Sequence, residues 1–303
     1  MVHSHDLQRA FRVSRRCFLQ GSTLILASTA AGLEQALSAE DMVSARVALL
    51  TDMHYADKAP SGTRHYRETL AKFDEAAKEF ARPENQPDLL IELGDLVDAA
   101  ENAAIELESL RTINDRLSKV CAKRHYVLGN HCVDTLSKEE FLGHVEQKRS
   151  YYSFDEGGFH FVILDACFRT DGVPYGRKNF QWTDTQIPEH ELSWLKTDLK
   201  STNLPVLVFA HQRLDVSDNH GVKNNAVVRE LLESNGKVVA VFQGHSHQND
   251  LKTIRGICYC TLAAMVEGSG DANNSYSLLQ LGAGGTVQLK GWRRQESRQF
   301  ERR

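Results

Sequence analysis

From Arg46 onward, short β-branched apolar runs alternate with longer stretches in which apolar residues recur every three or four positions. The runs Val47 to Thr51, Leu89 to Leu93, His125 to Leu128, Phe159 to Leu164, Val206 to Ala210 and Val238 to Gln243 predict strands. Several are apolar at consecutive positions, which implies burial on both faces and therefore helices covering a central sheet. The stretches Tyr66 to Phe80, Ala100 to Val120, Glu189 to Leu199 and Asn225 to Ser234 predict those helices. In the third, Leu192, Leu195 and Leu199 recur at i, i+3 and i+7 beside Trp194, one stripe to bury. Alternation from Ile257 to Val266 and from Ser275 to Gly291, the latter broken at Gly282 to Gly285, predicts a second run of strands with a hairpin. The pattern is that of a layered α/β domain, with no internal repeat and no linker. Two loops, Asp57 to Arg64 and Arg169 to Gln186, are rich in Gly, Arg, Lys and aromatic residues.

Composition changes this picture little: 303 residues, 41% hydrophobic and 25% charged, are ordinary for a globular chain. A net charge of -4 without a long basic run argues against duplex DNA or RNA as a partner. A small anionic substrate stays compatible, because a bound cation outweighs the global sign locally. The N-terminus is more informative. Ser14-Arg15-Arg16-Cys17-Phe18-Leu19 precedes an apolar or small stretch from Gly21 to Leu33, and Ala36, Ser38 and Ala39 follow as a cleavage region. The arrangement resembles a twin-arginine export signal. It implies a cleaved leader over 1–39, a single domain over 40–303, the twin-arginine translocation machinery as a partner, and a periplasmic or extracellular destination. The apolar run is short for a stable membrane anchor. Beyond Cys17, an odd set remains: Cys121, Cys132, Cys167, Cys258 and Cys260. No C-x-x-C spacing occurs, and Cys258 and Cys260 would share one face of a strand, so the cysteines read as mainly structural.

The chemistry sits where strands end. Asp52-Met53-His54 follows the first strand, Gly94-Asp95-Leu96-Val97-Asp98 the second and Gly129-Asn130-His131 the third. Ala210-His211 and Gly244-His245-Ser246-His247 end two later strands. One buried His is ordinarily a hydrogen-bonded core residue, and one Asp after a strand is ordinarily a helix cap. The set of seven, Asp52, His54, Asp95, Asn130, His211, His245 and His247, is another matter. Packed together without a partner it would cost several kcal/mol in desolvation and like-charge repulsion, which divalent cations relieve. Metal binding follows.

The ordered set Asp-x-His, Gly-Asp-x-x-Asp, Gly-Asn-His, His and Gly-His-x-His resembles the calcineurin-like metallophosphoesterase superfamily. The resemblance implies a four-layer α/β sandwich, two mixed β-sheets packed together and flanked by helices, with the site along one rim. It further implies that Asp52, His54, Asp95 and His247 hold one metal and Asp95, Asn130, His211 and His245 the other, Asp95 bridging. Ser61 to Arg67, Leu164-Asp165-Ala166, the Leu192 to Leu199 helix and Met265 to Gly268 are similar to the manganese-dependent ADP-ribose and CDP-alcohol diphosphatase group. Two positions depart from the pattern. His54 stands where that group carries Gln, and Cys132 where an acidic residue commonly follows Gly-Asn-His; Asp134 is then a candidate to orient His131.

The activity so implied is hydrolysis of a phosphoester or pyrophosphate bond by a hydroxide bridging two transition or divalent ions (Mn, Fe or Zn), in the manner of a phosphodiesterase or nucleotide diphosphatase acting on a small phosphorylated substrate. His131, assigned no metal, is left to stabilise the transition state or protonate the leaving oxygen. Asp98 either orients a ligand or caps the following helix. Arg64, Tyr66 and Arg177 are candidate contacts to a second phosphate or a base, or else solvated surface. Two alternatives remain: a phosphomonoesterase on the same site, and a non-catalytic scaffold that keeps the fold.

Overall fold

The computed structural model describes residues 43–282 and 285–300. The segment read as an export signal lies outside the described residues. One sheet contains β1 (Val43–Leu50), β2 (Leu89–Glu92), β3 (Arg124–Tyr126), β10 (Ser275–Gly282), β11 (Val287–Arg293) and β12 (Arg298–Phe300), in the order β12-β11-β10-β1-β2-β3. The other contains β4 (Tyr152–Glu156), β5 (Phe159–Ile163), β6 (Val206–Phe209), β7 (Val238–Gln243), β8 (Asp250–Ile254) and β9 (Ile257–Thr261), in the order β4-β5-β6-β7-β9-β8. Helices α1 (Thr69–Phe80), α2 (Ala103–Val120), α3 (Lys138–His144), α4 (Glu189–Ser201) and α5 (Asn225–Asn235) flank them.

Consecutive apolar residues on the strands are divided between two cores, as double-sided burial requires. Val47, Leu49, Leu89 and Ile91 of the first sheet face Phe161, Ile163, Leu207, Phe209 and Phe242 of the second. There Phe161, Phe209 and Phe242 stack successively at 5.6 and 5.5 Å between ring centres. The intervening Ala48, Leu50 and Leu90 instead meet Phe73, Ala76 and Phe80 of α1 and Leu110, Ile113 and Leu117 of α2. On the far side, Val162, Val206, Val208 and Val241 meet the predicted Leu192, Leu195 and Leu199 stripe of α4 and Val228 and Leu232 of α5. Helix, sheet, sheet, helix is the result, each buried Leu or Phe contributing about 2 kcal/mol.

Helix and strand ends move by a few residues from their predicted places. Tyr66–Glu68 is a 3-10 turn before α1, and α2 begins after Asn102, whose side chain accepts from the Ile105 N–H at 3.1 Å. The strands β4, β8 and β12, unpredicted, all lie at sheet edges, where one face is wet and no apolar run is needed. All five described cysteines are free, and Cys258 and Cys260 share the inter-sheet face of β9.

Parallel pairing decides where chemistry gathers. β1, β2 and β3 run parallel side by side, as do β5, β6 and β7. Their C-terminal ends carry the Asp, Asn and His residues singled out above onto one rim.

Candidate metal centre

The backbone turns sharply as it leaves the strands. Asp52, His54, Asp95, His245 and His247 all adopt positive φ, between 43° and 69°. For non-glycine residues this costs about 1–2 kcal/mol each, a concentration of strain that marks a functional rim rather than a packing solution. Glycines admit the close approaches. A Cβ on Gly129 would sit 2.2 Å from Asp95 Oδ1, and one on Gly244 would sit 2.6 Å from Asp52 Oδ2.

Two groups of donor atoms result. In the first, His247 Nε2 lies 3.3 Å from Asp52 Oδ1 and 3.2 Å from His54 Nε2, with His54 Nε2 3.8 Å from Asp52 Oδ1. In the second, His211 Nε2 lies 3.1 Å from Asp95 Oδ2 and 3.2 Å from His245 Nδ1. Asp95 Oδ2 is also 3.6 Å from His54 Nε2, so this one oxygen faces both groups. Atoms bound to one cation at about 2.1 Å stand roughly 3 to 3.4 Å apart, and four of the six spacings fall in that range, the two longer ones both involving His54. The donor set fits divalent cations in a second respect. Asp52 Oδ1 and Asn130 Oδ1 are buried without a hydrogen-bond partner, as ligand atoms awaiting a cation would be.

The far side of each group is held in place. Thr51 Oγ1 donates to Asp52 Oδ2 at 2.6 Å and the His245 N–H donates to the same oxygen at 3.1 Å, leaving Oδ1 for the centre. Asp95 Oδ1 accepts from the His131 N–H at 2.8 Å, leaving Oδ2. His211 Nδ1 is hydrogen-bonded to the Leu93 carbonyl at 2.8 Å, and His247 Nδ1 to Glu267 Oε1 at 2.6 Å. Such partners fix ring orientation and raise donor strength.

His131 stands apart from both groups. Its Nδ1 pairs with Asp98 Oδ1 at 2.5 Å, while Asp98 Oδ2 meets Lys58 Nζ at 2.9 Å. His54, Asp98 and His131 also cluster, and the closest contact among them is this charge pairing of Asp98 with His131. From sequence, Asp98 orients a ligand or caps the following helix; in the structure Asn102 caps α2, and Asp98 pairs with His131, which belongs to neither donor group. Asp134 does not take that place: among the described residues it is hydrogen-bonded through its backbone alone.

Burial disfavours charge at Asp52 and Asp95, yet the surrounding imidazoles outweigh it and hold both carboxyls well below the usual range. Burial and the neighbouring His211 push His245 down to about 3, so it is a neutral donor. The hydrogen bond to His247 draws Glu267 down to about 2 against its burial. Burial opposes charge on His131 too, but Asp95 and Asp98 prevail and raise its pKa.

The groups open on a cavity of about 260 Å³. Asp95, Asn130, His131, His245 and His247 form its floor, and Arg64, Trp182 and His220 complete its wall. Tyr66 and Arg177 do not line it. Tyr66 is buried beneath the Lys58 ammonium, 4.3 Å from its ring, and Arg177 is a solvated residue paired with Glu140 at 2.5 Å. Trp182 belongs to a loop whose composition had stood out, whereas His220 carried no sequence signal. Glu267 lay within a stretch noted for resemblance without a role of its own.

The family model for calcineurin-like phosphoesterases matches residues 45–249. A manganese-dependent ADP-ribose/CDP-alcohol diphosphatase from Xenopus laevis is 29% identical, the match spanning 72% of this chain and 80% of that protein. A 3',5'-cyclic adenosine monophosphate phosphodiesterase from Haemophilus influenzae is 26% identical over 59% of this chain, which spans 62% of that relative's length. Among solved structures, a dimetal phosphatase from Danio rerio superimposes with a TM-score of 0.75 at 20% identity, covering 86% of this chain and all of that one.

Proposed function

The chain belongs to the calcineurin-like phosphoesterase family, a class of metal-dependent phosphoester hydrolases, and on that premise we propose that it cleaves a phosphodiester or pyrophosphate bond with two divalent cations. The observation that carries this reading is the placement of Asp95 Oδ2 between two groups of donors. Asp52, His54, Asp95 and His247 would hold one ion, and Asp95, Asn130, His211 and His245 the other. When bound, such ions lower the pKa of water and neutralise charge on phosphoryl oxygens.

The protein's own groups supply the rest. Asp98 holds His131 through Nδ1, which leaves Nε2 to donate a proton to the leaving oxygen. Asp95 and Asp98 raise the His131 pKa against its burial, which favours the protonated ring. Arg64 makes no side-chain hydrogen bond or ion pair among the described residues and borders the cavity, so its guanidinium is available for a phosphate oxygen. It is the one Lys or Arg among the lining residues. A terminal phosphate dianion calls for more positive charge than that, which favours the diester or pyrophosphate over the monoester. The diphosphatase and phosphodiesterase names of the two relatives support the same choice.

The test is hydrolysis of bis-p-nitrophenyl phosphate against p-nitrophenyl phosphate by manganese-loaded protein. The diester is cleaved faster; Asp95→Ala empties both metal positions by elemental analysis, while His131→Ala keeps the metal and loses turnover. An inactive wild type refutes the activity, and loss of metal from His131→Ala refutes its role.

A further inference from the structure

Trp182 is an exposed large aromatic, 40% accessible, at the mouth of a polar cavity. Its ring centre is 5.5 Å from that of His245 and 5.6 Å from that of His220, and His220 is 5.6 Å from His245. The three rings make a corner whose outermost member keeps an open face.

The corner is built, not a chance of a loose loop. Buried Tyr175 donates its hydroxyl to the Asp184 carbonyl at 2.7 Å, and its ring stacks on Phe180 at 3.8 Å. Thr185 Oγ1 donates to the Ala166 carbonyl at 2.5 Å. These contacts bracket the turn that carries Trp182. The Lys223 N–H donates to the Thr185 carbonyl at 2.8 Å, and the Arg213 N–H to the His220 carbonyl at 3.1 Å, tying the His220 loop to the same frame. An exposed indole so anchored gains nothing from core burial, and the indole N–H has no partner among the described residues.

We propose that Trp182, backed by His220, is a stacking platform for the nucleobase of a nucleotide substrate whose phosphate lies over the donor groups, toward Arg64. The placement of the phosphate rests on the hydrolase reading above. Stacking on an aromatic face is tolerant of base identity, because every base has a π-face. The platform therefore selects nucleotides over ring-free phosphate esters without fixing which base they carry.

Adenosine monophosphate and ribose 5-phosphate differ only in the base, so calorimetric titration of both into manganese-loaded protein isolates its contribution. Wild type binds the nucleotide about tenfold more tightly. Trp182→Ala removes most of that preference and Trp182→Phe keeps most of it. Nucleotide binding also quenches tryptophan fluorescence in wild type, and the quenching is lost in Trp182→Ala. Equal affinities in wild type, no binding of either compound, or a preference that survives Trp182→Ala would overturn the platform. Failure of hydrolysis with the nucleotide preference intact would overturn the catalytic reading and leave the platform standing.

Discussion

Asp98→Asn isolates the positioning of His131 from the metals. The substitution keeps shape and removes one negative charge from a buried side chain that lies 2.5 Å from His131 Nδ1 and, farther off at 3.8 Å, from Nδ1 of the donor His54. What is lost is the charge-assisted character of the 2.5 Å contact to His131 Nδ1, worth about 1.5–3 kcal/mol. At about 1.4 kcal/mol per factor of ten, kcat falls roughly 10- to 100-fold if the contact acts on the transition state. The Lys58 contact on the other oxygen is half open to water and adds little. The pH profile carries a sign. Burial pulls the His131 pKa down while Asp95 and Asp98 pull it up; without Asp98, burial gains ground and the pKa drops. A proton donor is active while protonated, so the alkaline limb of kcat moves to lower pH. The assay is kcat for bis-p-nitrophenyl phosphate from pH 6 to 10 with metal content measured on the same preparations. Unchanged kcat, an alkaline limb that moves upward, or loss of a metal ion would refute the assignment.

Other substitutions probe the frame. Gly129→Ala forces a Cβ to within 2.2 Å of Asp95 Oδ1, so both metal positions lose affinity in elemental analysis although the strands still form. Lys72→Met withdraws three hydrogen bonds, 2.7 to 2.9 Å long, from the carbonyls of Met265, Glu267 and Gly268. Urea unfolding should show a loss of about 3 kcal/mol, and metal affinity should drop because Glu267 no longer holds His247. His160 gives a pH signature away from the centre, its two nitrogens paired with Asp198 at 2.9 Å and Asp155 at 2.6 Å. The hydrogen bond to Asp198 is the main cause of its raised pKa, so its stabilisation is complete below pH 6.5 and is lost as pH rises through the raised value. His160→Gln should cost about 1.5 kcal/mol at pH 6 and less at pH 9 in urea titrations.

What was legible in the chain follows from how local each cause is. The candidate donors sit two to four residues beyond a parallel strand, so strand periodicity alone carries them to one rim. Edge strands β4, β8 and β12 went unseen because half-wet pairing leaves no apolar run to read. Tyr66 and Arg177 show the limit for side-chain direction: both stand in sequence beside cavity-forming loops, but one turns inward under Lys58 and the other outward to Glu140. The choice between Asp98 and Asp134 was equally closed to sequence. Asp134 stands three residues from His131, whereas Asp98 lies on another loop, and only the packing of the turn after β2 against the turn after β3 brings Asp98 to Nδ1.

The cavity wall is the least local feature and carries the substrate question. Trp182 reaches His245 because Tyr175 fixes a turn from inside, and His220 joins them through a backbone bond between loops almost forty residues apart. None of these causes leaves a period or a spacing in the chain. The rim that would hold metal is thus written by strand ends, whereas the face that would choose the substrate is written by loop-to-loop contacts. The first can persist while the second diverges, since changing Trp182 alters no residue of either donor group.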